Sequence, residues 1–158
     1  MATTQFNFLE LKIPPPVVTV LIAAAMWEIS RVAPTIHLPE RIRLPVAITL
    51  AVLGGAISVA GEIQFLRART TANPLKPYAA SVLVTAGIYR FTRNPMYLGL
   101  VIMLVAWAVM RSSAWALLGL PGFMWYLGRF QIGPEERALA ALFNAEFTAY
   151  QARVRRWL

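Results

Sequence analysis

Residues 46–66, VAITLAVLGGAISVAGEIQFL, contain one charged side chain, Glu62, in a run about as long as a bilayer's hydrocarbon core is thick. A helix needs about 20 apolar residues to cross that core. Inside it no water satisfies the backbone N–H and C=O groups, so such a segment is confined to a helix or a closed barrel. Small residues favour the helix here. Ala47, Ala51 and Gly55 recur every fourth position, and Gly54 is followed four later by Ser58. That spacing lets two membrane helices approach closely, within one bundle or across a homodimer.

Composition extends this reading to the whole chain. Its 158 residues are the size of one domain, and its hydrophobic share of 58%, charged share of 14% and mean hydropathy of +0.58 are those of a membrane protein. Soluble domains average roughly 45–50% apolar and 25% charged residues. The expected fold is all-α, an integral membrane helical bundle forming a single domain.

Three more spans are expected. The first covers about residues 16–31, introduced by Pro14, Pro15 and Pro16, which are tolerated in a first helical turn and disruptive further in. FNFLELKI (Phe6 to Ile13) ahead of it is too short to cross and is expected at the interface. Arg31 to Pro45 reads as a proline-broken loop. Residues 95–110 and 112–129, divided by Arg111, read as a tight helical hairpin. The last segment, about residues 134–152, differs. Pro134 followed by Glu135 and Glu136 reads as a helix start, with carboxylates at the positive end of the dipole. Leu139, Leu142, Phe143, Phe147 and Tyr150 then share one face, giving an amphipathic cytoplasmic helix.

Charge sets the expected orientation. With four spans, Lys12, Arg67, Arg69, Lys76, Arg90, Arg93, Arg129, Arg137, Arg153, Arg155 and Arg156 share one side. Arg31, Arg41, Arg43 and Arg111 take the other. The positive-inside rule puts both termini and the long 67–94 loop in the cytoplasm, in a bacterial inner membrane. The same rule, with attraction to anionic lipid, accounts for the net charge of +8 without nucleic acid. Cysteine and aspartate are absent and His37 is the lone histidine, so no metal site is expected. The first residues lack the features of a removable signal peptide.

The polar residues nearest the cytoplasmic ends of the third and fourth spans are Arg90, Arg93, Asn94, Tyr97, Glu135, Glu136 and Arg153. Guanidinium groups fork carboxylates or phosphates, and carboxylates accept hydroxyl donors or pair an ammonium. Such a set suits a small zwitterionic ligand bearing a ribose or an amine. Each residue also has a plainer explanation: arginine and tyrosine anchor helices at interfaces, and glutamate belongs at a helix N-terminus.

LVTAGIYRFTRNPMYLG (Leu83 to Gly99) and EERALAALFNAEFTAYQARV (Glu135 to Val154) together resemble the isoprenylcysteine carboxyl methyltransferase family and the related membrane phospholipid methyltransferases. The pattern is G-x-Y-x-x-x-R-[HN]-P-x-Y-x-G entering a membrane helix, followed by a Glu-Glu pair opening another. TTANPLKP (Thr70 to Pro77) resembles the stretch preceding it in bacterial members.

The resemblance implies an integral membrane methyltransferase using S-adenosylmethionine. It assigns Asn94, Pro95, Tyr97, Leu98, Gly99, Glu135 and Glu136 to the cofactor, and Arg93 and Arg153 to catalysis or a carboxylate. Gly99 also suits close approach of a ligand to the backbone. Asn94 stands where many members have histidine, and an amide cannot titrate, so it is no general base. After Arg153 the sequence reads VRRWL, without the proline and apolar segment frequent in the family. A lipophilic or prenylated acceptor is implied, with monomer and homodimer both open. A carboxylate acceptor needs no base, whereas an amine or thiol does, from Glu62, Glu135, Glu136 or Tyr97. The alternatives to a carboxyl methyltransferase are a phospholipid N-methyltransferase and a noncatalytic membrane protein of the same fold.

Overall fold

The computed structural model describes residues 9–71, 73 and 75–158. Residues 6–8 of the expected interfacial segment, and Ala72 and Pro74 of the TTANPLKP stretch, lie outside the described residues. Among those described, every regular element is helical: α1 (Pro15–Val32), α2 (Glu40–Arg67), α3 (Pro95–Met110), α4 (Gly119–Leu127) and α5 (Gly133–Arg153).

α1 and α2 are long and apolar enough to cross a membrane, whereas α3 is apolar but shorter. Their outer faces carry Val20, Leu21, Trp27, Ile48, Val52 and Val59, all exposed. A contiguous apolar surface of that extent is a membrane contact rather than a wetted one.

α2 starts earlier than expected. The N–H groups of Ile42 and Arg43 both bond Pro39 O at 2.9 Å, so the helix is under way before Pro45, which lies inside it. There proline forfeits a single early bond, to Arg41 O, which proximity to the helix end makes tolerable.

α2 packs most extensively on α3, along part of the expected set, Ala47, Gly54 and Ser58, extended to Gly61. Ala47, Gly54 and Gly61 are buried, whereas Ala51 is exposed and Gly55 faces open space. A Cβ on Gly99 would lie 2.1 Å from Ser58 Oγ and 2.3 Å from Gly54 O, so the two backbones touch where neither residue has a side chain. Ser58 Oγ completes the contact by donating to Met96 O at 3.0 Å.

The end of the bundle away from the long loop is tied by Arg111, whose Nε donates to Ser30 Oγ at 3.1 Å with the guanidinium near the Trp27 and Trp107 rings. Arg43 joins the same end through Ser112 Oγ. At the other end Glu10 pairs with both Arg129 (2.6 Å) and Arg137 (2.5 Å).

The expected separate last helix is corrected, and the second limb of the hairpin starts later than residue 112. After α3 the chain makes a turn and a 3-10 segment, Trp115–Leu118, before α4. It then passes without a break through a π-helical turn, Gly128–Ile132, into α5. Pro134 explains the π turn: its ring clashes with the carbonyl four residues back and it has no N–H to offer. Gly133 N–H instead reaches back five residues, to Gly128 O. Phe130 O, which Pro134 has no N–H to bond, accepts Leu11 N–H at 3.0 Å. Glu135 and Glu136 therefore do not cap a free helix end.

α5 has its own break, at Asn144 (φ 42°, ψ −115°). The break lets Leu139 and Phe143 on one limb and Phe147 and Tyr150 on the other pack with Leu83 and Val154. The stripe is consumed by internal packing, apart from Leu142, which is exposed.

Candidate active site

The long loop folds back over the C-terminal end of α2 and the N-terminal end of α3 and packs against α5. Gly87 makes the turn, with φ +61°, and a Cβ there would strike Gln64 Nε2 at 2.5 Å, so both conformation and space demand glycine. Beneath this fold lies a cavity of about 850 Å³ counted to its open mouth. Val82, Leu83 and Val84 cover it, Phe65 and Met96 close the membrane side, and Leu139, Phe147 and Tyr150 form the α5 wall. Tyr89, Arg93, Asn94, Tyr97, Glu135 and Glu136 supply its polar atoms.

The two carboxylates differ in state. Glu135 accepts from Tyr97 OH and from Gln131 Nε2 (2.8 Å), both on Oε1, while Oε2 meets no donor among the described residues. Burial pushes its carboxyl up from 4.5 to about 7, against the lowering effect of the Tyr97 and Gln131 hydrogen bonds and with a further push from Glu136. Half of this carboxylate is thus available, and its charge changes near neutrality.

Glu136 is fully engaged. Arg93 Nη2 meets Oε1 at 2.9 Å, and Arg156 meets Oε1 and Oε2 at 3.2 and 2.5 Å. The same arginine, Arg93, donates through Nη1 to Gln151 O and Val154 O, and its backbone N–H bonds Arg155 O at 3.0 Å. Asn94 Nδ2 and Thr92 Oγ1 both donate to Arg156 O, at 2.9 and 3.3 Å. The segment after α5 is therefore strapped across the Arg-Asn-Pro motif.

Tyr150 OH donates to Tyr89 O at 2.7 Å, holding α5 to the loop. Burial pushes its phenol up to about 12, partly offset by Arg93, and burial also raises that of Tyr89.

Of the residues expected at the site, Arg93, Asn94, Tyr97, Glu135 and Glu136 converge on the cavity. Pro95 is buried beside it against Gly61. Gly99 is spent on the contact with α2, a packing reason for glycine rather than a ligand's approach. Leu98 does not line the cavity, and Arg153 is exposed on a neighbouring cleft with Arg90. Glu62, a candidate base, is exposed and outside it. Gln131 and Arg156 escaped the sequence reading. Gln131 stands one helical turn before Glu135, a readable spacing once the helix is known to be continuous. Arg156 has no such signal, because the chain leaves the helix at Val154 and returns by an extended path.

The chain is similar to a protein of Haemophilus influenzae described as uncharacterized, at 40% identity over 63 residues, which are 40% of this chain and all of that protein. No solved structure matches significantly. The family described as phospholipid methyltransferase matches residues 42–146, from the start of α2 past the paired glutamates, covering most of the cavity wall. By that match, over well more than half its length, this chain belongs to the phospholipid methyltransferase family.

Proposed function

We propose that the protein is an S-adenosylmethionine-dependent methyltransferase of the membrane, acting on the amine of a lipid headgroup. The observation that carries this reading is Glu135: a part-buried carboxyl poised near neutrality, with one oxygen that meets no donor among the described residues, in a cavity of mostly apolar lining.

The residues present fit the cofactor. Val84, Leu139 and Phe147 offer apolar walls for an adenine, and Asn94 Oδ1 and Tyr89 OH are uncommitted polar atoms for ribose hydroxyls. When bound, the cofactor supplies a methyl carbon on a positively charged sulfur.

The acceptor class follows from which groups are free. A carboxylate acceptor calls for a guanidinium, but both terminal nitrogens of Arg93 are bonded within the protein, and Arg153 lies outside the cavity. An amine acceptor calls for a group to take the proton of its ammonium form, and Glu135 Oε2 suits that role at neutral pH. Taking that proton would leave the nitrogen lone pair free to accept the methyl group that the cofactor would supply. Tyr97 and Gln131 orient the carboxylate. Glu136, held by Arg93 and Arg156, fixes the wall beside it, and the apolar cover excludes water.

In this reading α1, α2, α3 and the 3-10 segment with α4 make four crossings, with the cavity and both termini on the cytoplasmic side of a bacterial inner membrane. The crowd of arginines at the cavity end supports that orientation. The test is purified protein in detergent with S-adenosylmethionine and dioleoylphosphatidylethanolamine, with lipids read by mass spectrometry. N-methylated lipid is expected. A base-labile methyl ester on a carboxylate lipid in its place would transfer the assignment to carboxyl methylation. Folded protein that fails to bind S-adenosylhomocysteine would refute the cofactor.

A further inference from the structure

A second cleft adjoins the cavity, lined by Thr85, Arg90, Tyr150, Arg153 and Val154. Two of its five lining residues are arginines, and no carboxylate lines it. Arg90 rises from the 3-10 turn Gly87–Arg90 and Arg153 ends α5, so the loop and the helix each contribute one guanidinium. Elsewhere in the bundle the carboxylates Glu10, Glu28 and Glu136 are each matched to arginines. Arg90 and Arg153 have no ion pair among the described residues, and the Nε of Arg153 reaches only its own helix, at Ala149 O. Two unmatched guanidiniums facing one cleft repel each other unless an anion joins them, and a tetrahedral oxyanion offers both a fork.

Tyr150 lines both spaces, with its hydroxyl fixed on Tyr89 O. It is the partition between the arginine cleft and the cavity that holds Glu135. In a phosphoethanolamine headgroup a two-carbon link separates phosphate from amine, about the span of one side chain's thickness. We infer that the Arg90–Arg153 cleft binds the phosphodiester of the acceptor lipid, while the amine of the same headgroup reaches past Tyr150 toward Glu135. This rests on the amine-methyltransferase reading and adds the anchor that selects a phosphate-bearing lipid over other amphiphilic amines. Thr85, at the cleft wall, has a hydroxyl free to donate to the same anion.

The test has a binding arm and a kinetic arm, on the full chain in detergent. In the first, native mass spectrometry follows retention of dioleoylphosphatidylethanolamine and dioleoylglycerol by the wild type and by the Arg90→Gln/Arg153→Gln double variant. S-adenosylhomocysteine affinity and melting temperature are measured alongside. The wild type is expected to retain the phospholipid selectively. The double variant is expected to lose about tenfold or more in retention and to show a comparable rise in lipid KM, since the charge-assisted hydrogen bonds of both guanidiniums are removed. Cofactor affinity and melting should stay put, and Arg90→Lys/Arg153→Lys should recover part of the loss. Unchanged retention and KM in a folded double variant would overturn the proposal. Displacement of the lipid by millimolar inorganic phosphate alone, with equal affinity for both, would make the cleft a soluble-phosphate site and overturn the lipid assignment. Failure of the wild type to bind S-adenosylhomocysteine would strike the methyltransferase reading instead, leaving the retention arm to decide the phosphate site.

Discussion

On the proposed function Glu135 trades stability for chemistry, and Glu135→Gln makes the trade measurable. The folded protein holds this carboxyl at about 7 where the ordinary value is 4.5, so folding favours its neutral form. A folded-state value raised above the unfolded one means that stability is greatest below about 4.5, falls as pH climbs, and levels off above about 7. Each pKa step is worth about 1.4 kcal/mol, so the ionised carboxylate at pH 8 costs about 3 kcal/mol relative to its neutral form. Glutamine keeps an oxygen for Tyr97 OH and Gln131 Nε2 and has nothing to ionise. The variant should match the wild type near pH 4.5 and exceed it near pH 8. For a chain of this length the excess corresponds to a melting temperature raised by roughly 6–12 °C. Melts of both proteins in one detergent, followed by the fluorescence of the five tryptophans, give the difference at each pH and cancel the titration of every other group. Turnover should fall by orders of magnitude while S-adenosylhomocysteine still binds. Parallel melts from pH 4.5 to 8 would refute the raised carboxyl. A variant that is more stable but equally active would refute Glu135 as the proton acceptor.

Tyr97→Phe removes a donor that lowers the Glu135 carboxyl, which should then rise further; the acid limb of the pH–rate profile should move to higher pH, as read by initial rates from pH 5.5 to 9. Gly99→Ala forces a methyl against Gly54 O and Ser58 Oγ and should cost about 1–3 kcal/mol by overpacking, seen as a lower melting temperature. Because Gly99 does not line the cavity, the protein that remains folded should keep its cofactor affinity, and a selective loss of that affinity would restore Gly99 to the ligand. Arg156→Ala leaves Glu136 with Arg93 alone and should weaken cofactor binding as the wall loosens, with Arg156→Lys recovering part of it in calorimetric titrations.

Much of this was legible because membrane burial writes long, unambiguous patterns. The 46–66 run and the proline entry to α1 could be read residue by residue, and the two polar motifs announced that their segments would meet. Local rules failed where two segments share one backbone. Pro134 with its two glutamates has every mark of a helix start, yet the carbonyl that Pro134 cannot bond is satisfied by Leu11, more than a hundred residues away in sequence. No window along the chain contains that partner. The small-residue stripe was legible in part: Gly54 and Ser58 meet α3, whereas Ala51 and Gly55 do not. Spacing of four names two adjacent faces of α2, and only the position of α3 chooses Gly54 over Gly55. Gly99 was correctly singled out as a place where something approaches the backbone closely, but what approaches is α2.

The π turn draws these threads into one cause. A proline in a continuous helix widens the turn before it and frees Phe130 O, and Leu11 N–H takes the carbonyl. Glu10, next to Leu11, then bridges Arg129 on the π turn and Arg137 on α5, so the segment ahead of α1 clamps the junction from both sides. Within the clamped junction Gln131 sits four residues before Glu135, on the same side of the helix, and holds Oε1 while Tyr97 approaches it from α3. A carboxylate so held presents Oε2 in a fixed direction, and burial keeps its carboxyl near neutrality rather than in the ordinary acid range, against the pull of the two hydrogen bonds. Glu136, one residue on and facing the strap, meets two guanidiniums instead. A single irregular turn thus gives adjacent glutamates opposite surroundings, Glu135 among neutral donors and Glu136 between two guanidiniums.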